Sequence, residues 1–114
     1  MVRLEKNNNT TSNATFRIHF FENTPTVSNG DNGALLVNLA GYVGYVDLPT
    51  MVAASNGAYT VSDSAGASMF NGTTSDGLYG YASSTYIYAL IEARAAYTPT
   101  SGGILTLTAN VEKF

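Results

Sequence analysis

The stretch Ser84-Thr85-Tyr86-Ile87-Tyr88-Ala89-Leu90-Ile91-Glu92-Ala93-Arg94-Ala95-Ala96-Tyr97 is the longest apolar segment of the sequence. Its second half is rich in helix formers: Ala89, Leu90, Glu92, Ala93, Arg94, Ala95 and Ala96. Its first half, Thr85-Tyr86-Ile87-Tyr88, favours strand, and no convincing helix stop comes before Thr98-Pro99. As a strand it puts Ile87, Ala89, Ile91, Ala93 and Ala95 on one face, and Tyr86, Tyr88, Leu90, Glu92 and Arg94 on the other. Both faces are largely apolar, the pattern of a strand covered on both sides. After the turn Thr98-Pro99-Thr100-Ser101-Gly102-Gly103, the run Ile104 to Val111 alternates Leu105, Leu107, Ala109 and Val111 against Thr106, Thr108 and Asn110. The two segments are expected to form the long central antiparallel hairpin of the domain.

Working outward, Thr15 to Phe21 is a strand with Phe16, Ile18 and Phe20 on one face and Thr15, Arg17, His19 and Phe21 on the other. Glu22 to Gly33 is turn chemistry: Asn23, Pro25, Ser28, Asn29, Gly30, Asp31, Asn32 and Gly33. Strands follow over Ala34 to Leu39 and Tyr42 to Leu48. Gly41-Tyr42-Val43 is echoed by Gly44-Tyr45-Val46, and Gly44 inside a strand predicts a bulge or close packing under a ring. Met51 to Asn56 could form one helical turn. Ala58 to Ser62 is a short strand, and Asp63 to Gly77 is polar around the island Met69-Phe70. Seven or eight short strands with closely spaced turn signals predict an all-β fold, an antiparallel β-sandwich or a small jelly-roll-like barrel.

The N-terminus alternates Val2 and Leu4 against Arg3 and Glu5. The tract Asn7-Asn8-Asn9-Thr10-Thr11-Ser12-Asn13 has no apolar residue with which to offset its ordering entropy. Residues 1–14 are therefore expected to form a flexible arm reaching about 24 Å through the tract, with residues 15–114 as a single β-domain. Val2, Arg3, Leu4 and Glu5 would be its contact tip, able to add as a strand to a neighbour's sheet edge.

Composition narrows the function classes. Only 11% of the 114 residues are charged, against roughly 25% in typical soluble domains. Asn, Thr, Ser and Gly fill the polar positions, giving a surface easily dried against a neighbour. The net charge is −3 with five scattered Lys and Arg, which argues against phosphate-backbone recognition and hence against nucleic acid. There is no cysteine, so disulfides and thiolate metal sites are excluded. Met1 to Lys6 lacks the apolar core of a signal peptide, so the sequons at Asn8, Asn9, Asn13 and Asn71 are read as composition. No run approaches the ~20 apolar residues of a membrane span.

No catalytic or metal motif stands out. Gly-x-Ser-x-Gly, His-Glu-x-x-His and a phosphate-binding glycine loop are all missing. Gly30-Asp31-Asn32-Gly33 carries oxygen donors but neither the spacing nor the closing Glu of an EF-hand, so it is read as a turn. His19, the single histidine, is expected to be structural, with any acidic partner distant in sequence. Glu92 and Arg94 are two residues apart, hence on one strand face. They pair with each other or across a subunit boundary, and with Tyr86 and Tyr88 they form the candidate subunit interface. The eight tyrosines could stack sugars, but most fall inside strands, where core or interface rings are the simpler expectation.

Several phrases together resemble a family of small head decoration (capsid cement) proteins of tailed bacteriophages. They are Phe16-Arg17-Ile18-His19-Phe20-Phe21 with Thr24-Pro25-Thr26, Asp31-Asn32-Gly33-Ala34, Gly44-Tyr45-Val46-Asp47-Leu48, Leu78-Tyr79-Gly80-Tyr81 and Ala95-Ala96-Tyr97-Thr98-Pro99-Thr100-Ser101-Gly102. The resemblance covers most of Thr15 to Thr108. It implies a non-enzymatic structural virion protein without cofactor. It would be made in the host bacterial cytoplasm and bind the major capsid protein on the capsid's outer surface, as a homotrimer. It identifies no catalytic residues. The alternative is a receptor- or glycan-binding β-domain of a phage tail or baseplate.

Overall fold

The computed structural model describes residues 1–28, 38–62 and 86–110. Among these residues seven strands form in chain order: β1 (Val2–Lys6), β2 (Phe16–Phe21), β3 (Tyr42–Asp47), β4 (Val52–Ala54), β5 (Gly57–Ser62), β6 (Tyr88–Ala93) and β7 (Leu105–Ala109). They make two antiparallel sheets, a four-stranded sheet ordered β4-β5-β1-β7 and a three-stranded sheet ordered β3-β2-β6. The all-β sandwich expected from the strand pattern is what forms. The expected strand from Ala34, the Gly30–Gly33 turn, the Met69-Phe70 island, Leu78 to Tyr81 and the end of the last strand at Val111 lie outside the described residues.

The core follows from alternation. Phe16 and Ile18 from β2, Val46 from β3, Leu4 from β1 and Ala58 from β5 point into the space between the sheets, joined by Ala14, Leu48 and Met51. Val2, Phe20, Ile91, Tyr97, Leu105 and Leu107 pack around them, partly buried. Lys6 ends the inward row of β1. Its stem is buried, and its ammonium lies 3.5 Å from the Tyr97 hydroxyl and 5.1 Å from the ring centroid. That arrangement keeps a cation at the rim of an apolar core.

Residues 1–14 are not a flexible arm. β1 is a central strand, paired with β5 on one side, where Leu4 faces Thr60, and with β7 on the other, where Leu4 faces Leu107. Leu4 is 0% exposed. The polar tract is fixed by its own amides. Asn7 donates to the Gly102 carbonyl and accepts from the Ile104 N–H, Asn9 donates to the Ser55 carbonyl, and Asn13 donates to the Ala96 carbonyl. Side-chain hydrogen bonds supply the order that missing apolar residues would otherwise provide.

The expected central hairpin is likewise corrected. β6 pairs with β2 and β7 with β1, so the two strands belong to different sheets. β6 ends at Ala93, and Arg94 N–H donates to the Thr15 carbonyl. The chain then turns Tyr97 edge-on to Phe16, with centroids 5.1 Å apart, and crosses between the sheets. Asn7 to Thr15 and Leu48 to Met51 are the other crossings among the described residues. Among the described strands β6 lies at the edge of its sheet rather than at its centre.

The helical turn weighed at Met51 to Asn56 is instead strand β4 and a tight hairpin turn into β5. Ser55 takes φ of 50° there, the positive φ that a two-residue hairpin needs to match strand twist. The bulge expected at Gly44 does form. Phe20 faces Gly44 but Phe21 faces Tyr42, so Val43 is the extra residue, and Gly44 adopts φ of 150°.

The centrality of β1 sets a test. Removing residues 1–13 should abolish cooperative folding rather than release an appendage, as read by loss of a sigmoidal denaturation curve. Leu4→Ala alone should cost about 2–5 kcal/mol in the same measurement.

Candidate functional site

The outer face of the three-stranded sheet gathers most of the described charge outside β1. Alternation along β2 sends Arg17, His19 and Phe21 outward. Register then places Asp47 and Glu92 beside Arg17, Tyr45 and Leu90 beside His19, and Tyr42 and Tyr88 beside Phe21. Strict alternation along β3 would have put Tyr42 and Tyr45 on opposite faces. The bulge at Val43 resets the phase, so both rings reach His19, at centroid distances of 5.8 and 6.2 Å.

A chain of hydrogen bonds crosses all three strands. The Tyr42 hydroxyl lies 2.8 Å from His19 Nδ1, and His19 Nε2 lies 2.6 Å from Glu92 Oε2. Arg94 Nη1 donates to Glu92 Oε1 at 2.6 Å. With Nε2–H donating to the carboxylate, Nδ1 is left to accept from the Tyr42 hydroxyl. His19 is buried, and both of its nitrogens are occupied. Alongside, Arg17 holds Asp47 through two bonds of 2.6 and 2.9 Å and lies 4.0 Å over the Tyr45 ring. Such a fork is the strong form of an ion pair.

The electrostatics follow from these contacts. Burial pushes the Glu92 carboxyl up, but hydrogen bonds from His19 and Arg94 outweigh it, and the group titrates below its ordinary value. The hydrogen bond from Arg17 holds Asp47 below the usual carboxylate range and lifts Arg17 in return. Burial raises the Tyr42 phenol, which keeps it protonated at neutral pH and makes it a poor nucleophile. The Tyr42–His19–Glu92 row has the order of a nucleophile, base and orienting acid, and its hydrogen bonds tie β3, β2 and β6 together. Among the described residues no group of three or more His, Cys, Asp or Glu side chains is placed to hold a metal ion. No helix among them is long and apolar enough to cross a membrane.

The sequence-derived candidates separate. Glu92 and Arg94 do share a face and pair, and Glu92 also takes His19, a partner 73 positions away that local sequence cannot reveal. Tyr88 is half-buried and Tyr86 is 67% exposed. Val2 and Leu4 point inward, while Arg3 and Glu5 form an ion pair on the outer face of the other sheet. Arg17, Asp47, Tyr42 and Tyr45 were not singled out as a cluster, although Gly44 carried the signal that joins the two tyrosines. Comparison with protein-family models, with curated proteins and with solved structures finds no match to this chain.

The depressed Glu92 carboxyl gives the site a pH signature. A folded-state value below the unfolded one contributes stability that is complete above the ordinary value of 4.5 and lost as pH falls through the folded value. Glu92→Gln should therefore cost about 1–3 kcal/mol near neutrality, because it leaves Arg94 without its carboxylate and weakens the hold on His19. The gap between the two proteins should close on acidification below pH 4.5. Denaturation midpoints across an acid series measure it.

Proposed function

We propose that this protein is a structural virion component that decorates and stabilises a bacteriophage capsid, binding the outer face of the major capsid protein lattice as a homotrimer. The reading rests on the resemblance of its strand and turn phrases to head decoration proteins, and one structural observation supports it. Only Leu48 to Met51 separate β3 from β4, so these edges share a flank, and β6 and β7 border the opposite one. That second flank is incompletely closed. Leu105, Leu107 and Ile91 point inward yet are only partly buried, while Ile87 and Ile104, which lead into β6 and β7, are 43% and 61% exposed. An apolar flank of this kind, bordered by strand edges, suits association through buried area and strand addition. The low charge of the chain lowers the desolvation cost of such contact.

The proposed role is mechanical. A cement protein resists internal pressure by tying neighbours together, and the braced three-stranded sheet would transmit that load without chemistry. In this reading Tyr86 and the partly open flank meet a sister subunit or the capsid, while Glu92 and Arg94 are committed mainly to the internal brace. Residues Val2 to Glu5, expected as a detachable contact arm, serve the fold instead.

Quantitative analysis of purified virions should find the protein in copy number comparable with the major capsid protein. A handful of copies per particle would move it to the neck or tail. Replacing Ile87 and Ile104 together by Lys should change stability by no more than ~1 kcal/mol, since both are exposed. The same change should abolish trimers in light scattering and lower occupancy on heat-stressed heads.

A further inference from the structure

The outer face of the four-stranded sheet carries a second feature, apart from the brace and meeting the open flank only at Ile104. A shallow depression of about 550 Å³ opens there, lined among others by Arg3, Glu5, Ala54, Tyr59, Ile104 and Thr106. Register explains the grouping: Glu5 on the central strand faces Tyr59 on β5 and Thr106 on β7. These side chains therefore stand side by side across three strands. We propose that this depression binds a neutral oligosaccharide, seated on the Tyr59 ring beside the Arg3–Glu5 pair.

Unused bonding capacity is the first argument. Tyr42, Tyr45 and Tyr97 are each engaged by rings, cations or hydrogen bonds. Tyr59 is 41% exposed, and its side chain makes no hydrogen bond, ion pair or ring contact among the described residues. Thr106 is exposed, and its hydroxyl has no partner among the described residues. Arg3 directs one guanidinium nitrogen to Glu5 Oε1, which leaves its other N–H groups and Glu5 Oε2 free. Donors, acceptors and an aromatic plane thus converge on one open surface.

Charge and shape select the ligand class. Arg3 and Glu5 cancel locally, and Lys6, which also lines the depression, keeps its ammonium against Tyr97, so the site favours neither an anion nor a cation. A guanidinium beside a carboxylate is matched by vicinal hydroxyls, one accepting from Arg3 and one donating to Glu5. The C–H face of a sugar ring fits the Tyr59 plane, and Ile104 and Ala54 border it with apolar surface. An extended peptide gains its affinity from sheet edges rather than from a sheet face, which sets the saccharide ahead of it. The inference does not depend on the capsid reading, because the two surfaces share only Ile104 and the readouts differ.

The test is an amide-resolved NMR titration of the full chain with cellohexaose, maltohexaose and chitohexaose. At least one should give saturable shifts, confined to the outer-facing residues of β1, β5 and β7. Tyr59→Ala should weaken that binding about tenfold or more, Tyr59→Phe should retain it within about twofold, and Tyr86→Ala, at an exposed tyrosine outside the depression, should leave it unchanged. Absence of saturable shifts with all three sugars up to ~10 mM overturns the proposal. So does binding that survives Tyr59→Ala or maps elsewhere. Trimer formation by Tyr59→Ala, followed by light scattering, keeps this result distinct from the fate of the assembly reading.

Discussion

The rest of the structure depends on the insertion of β1 between β5 and β7. Five consecutive residue pairs join it to each neighbour, and without it the four-stranded sheet would be a short hairpin and a stray strand. Because Val2 faces Ala109, the first strand of the chain meets the last described one. The ladder is closed beyond that pair by the bond from Asn110 N–H to the Met1 carbonyl. Contacts of such sequence separation carry a loop-closure cost that grows only slowly with length but must be met before the core rewards it. The hydrophobic return comes through Leu4, which reaches the same cluster as Phe16 and Ile18. The N-terminal strand thus joins the two sheets in one cooperative unit.

The three-stranded sheet meets a different constraint. Its outer face is not wholly polar: Phe21 is fully buried there against Tyr42. Beside that ring, the network from Tyr42 through His19 to Glu92 and Arg94 satisfies each buried polar atom. A fully satisfied buried network gives up little stability and specifies register, because a one-residue slip of β2 would send His19 into the core and Ile18 to the surface. The Val43 bulge is part of the same device, since it alone brings Tyr42 onto the face of His19.

Sequence reasoning reached the elements better than their partners. The alternation in β1, β2, β5 and β7 was legible because it is local, and Gly44 announced its bulge because glycine there answers a backbone need. Which strands pair is a long-range property. Arg94 to Ile104 contains the proline and glycines of a loop, and those residues serve a crossing between sheets as well as a hairpin. The Asn7 to Asn13 tract departs from expectation for a physical reason: its order comes not from burial but from Asn7, Asn9 and Asn13 hydrogen-bonding distant backbone groups. The Glu92–His19 contact was likewise beyond local inspection, although the isolation of Glu92 on an apolar strand marked it as a residue needing a partner.

The surfaces therefore differ in how much interaction capacity they retain. On the outer face of the three-stranded sheet, the described charges are already paired with one another, so a partner docking there would have to break bonds worth as much as those it forms. The flank bordered by β6 and β7 retains apolar surface with few charges to desolvate, which favours broad protein contact. The outer face of β5, β1 and β7 retains hydrogen-bonding capacity without net charge, which favours a small polar ligand. A domain so poor in charge can hold two such surfaces at once because neither depends on long-range electrostatics. Each would gain affinity only at contact, so occupation of one places little field on the other.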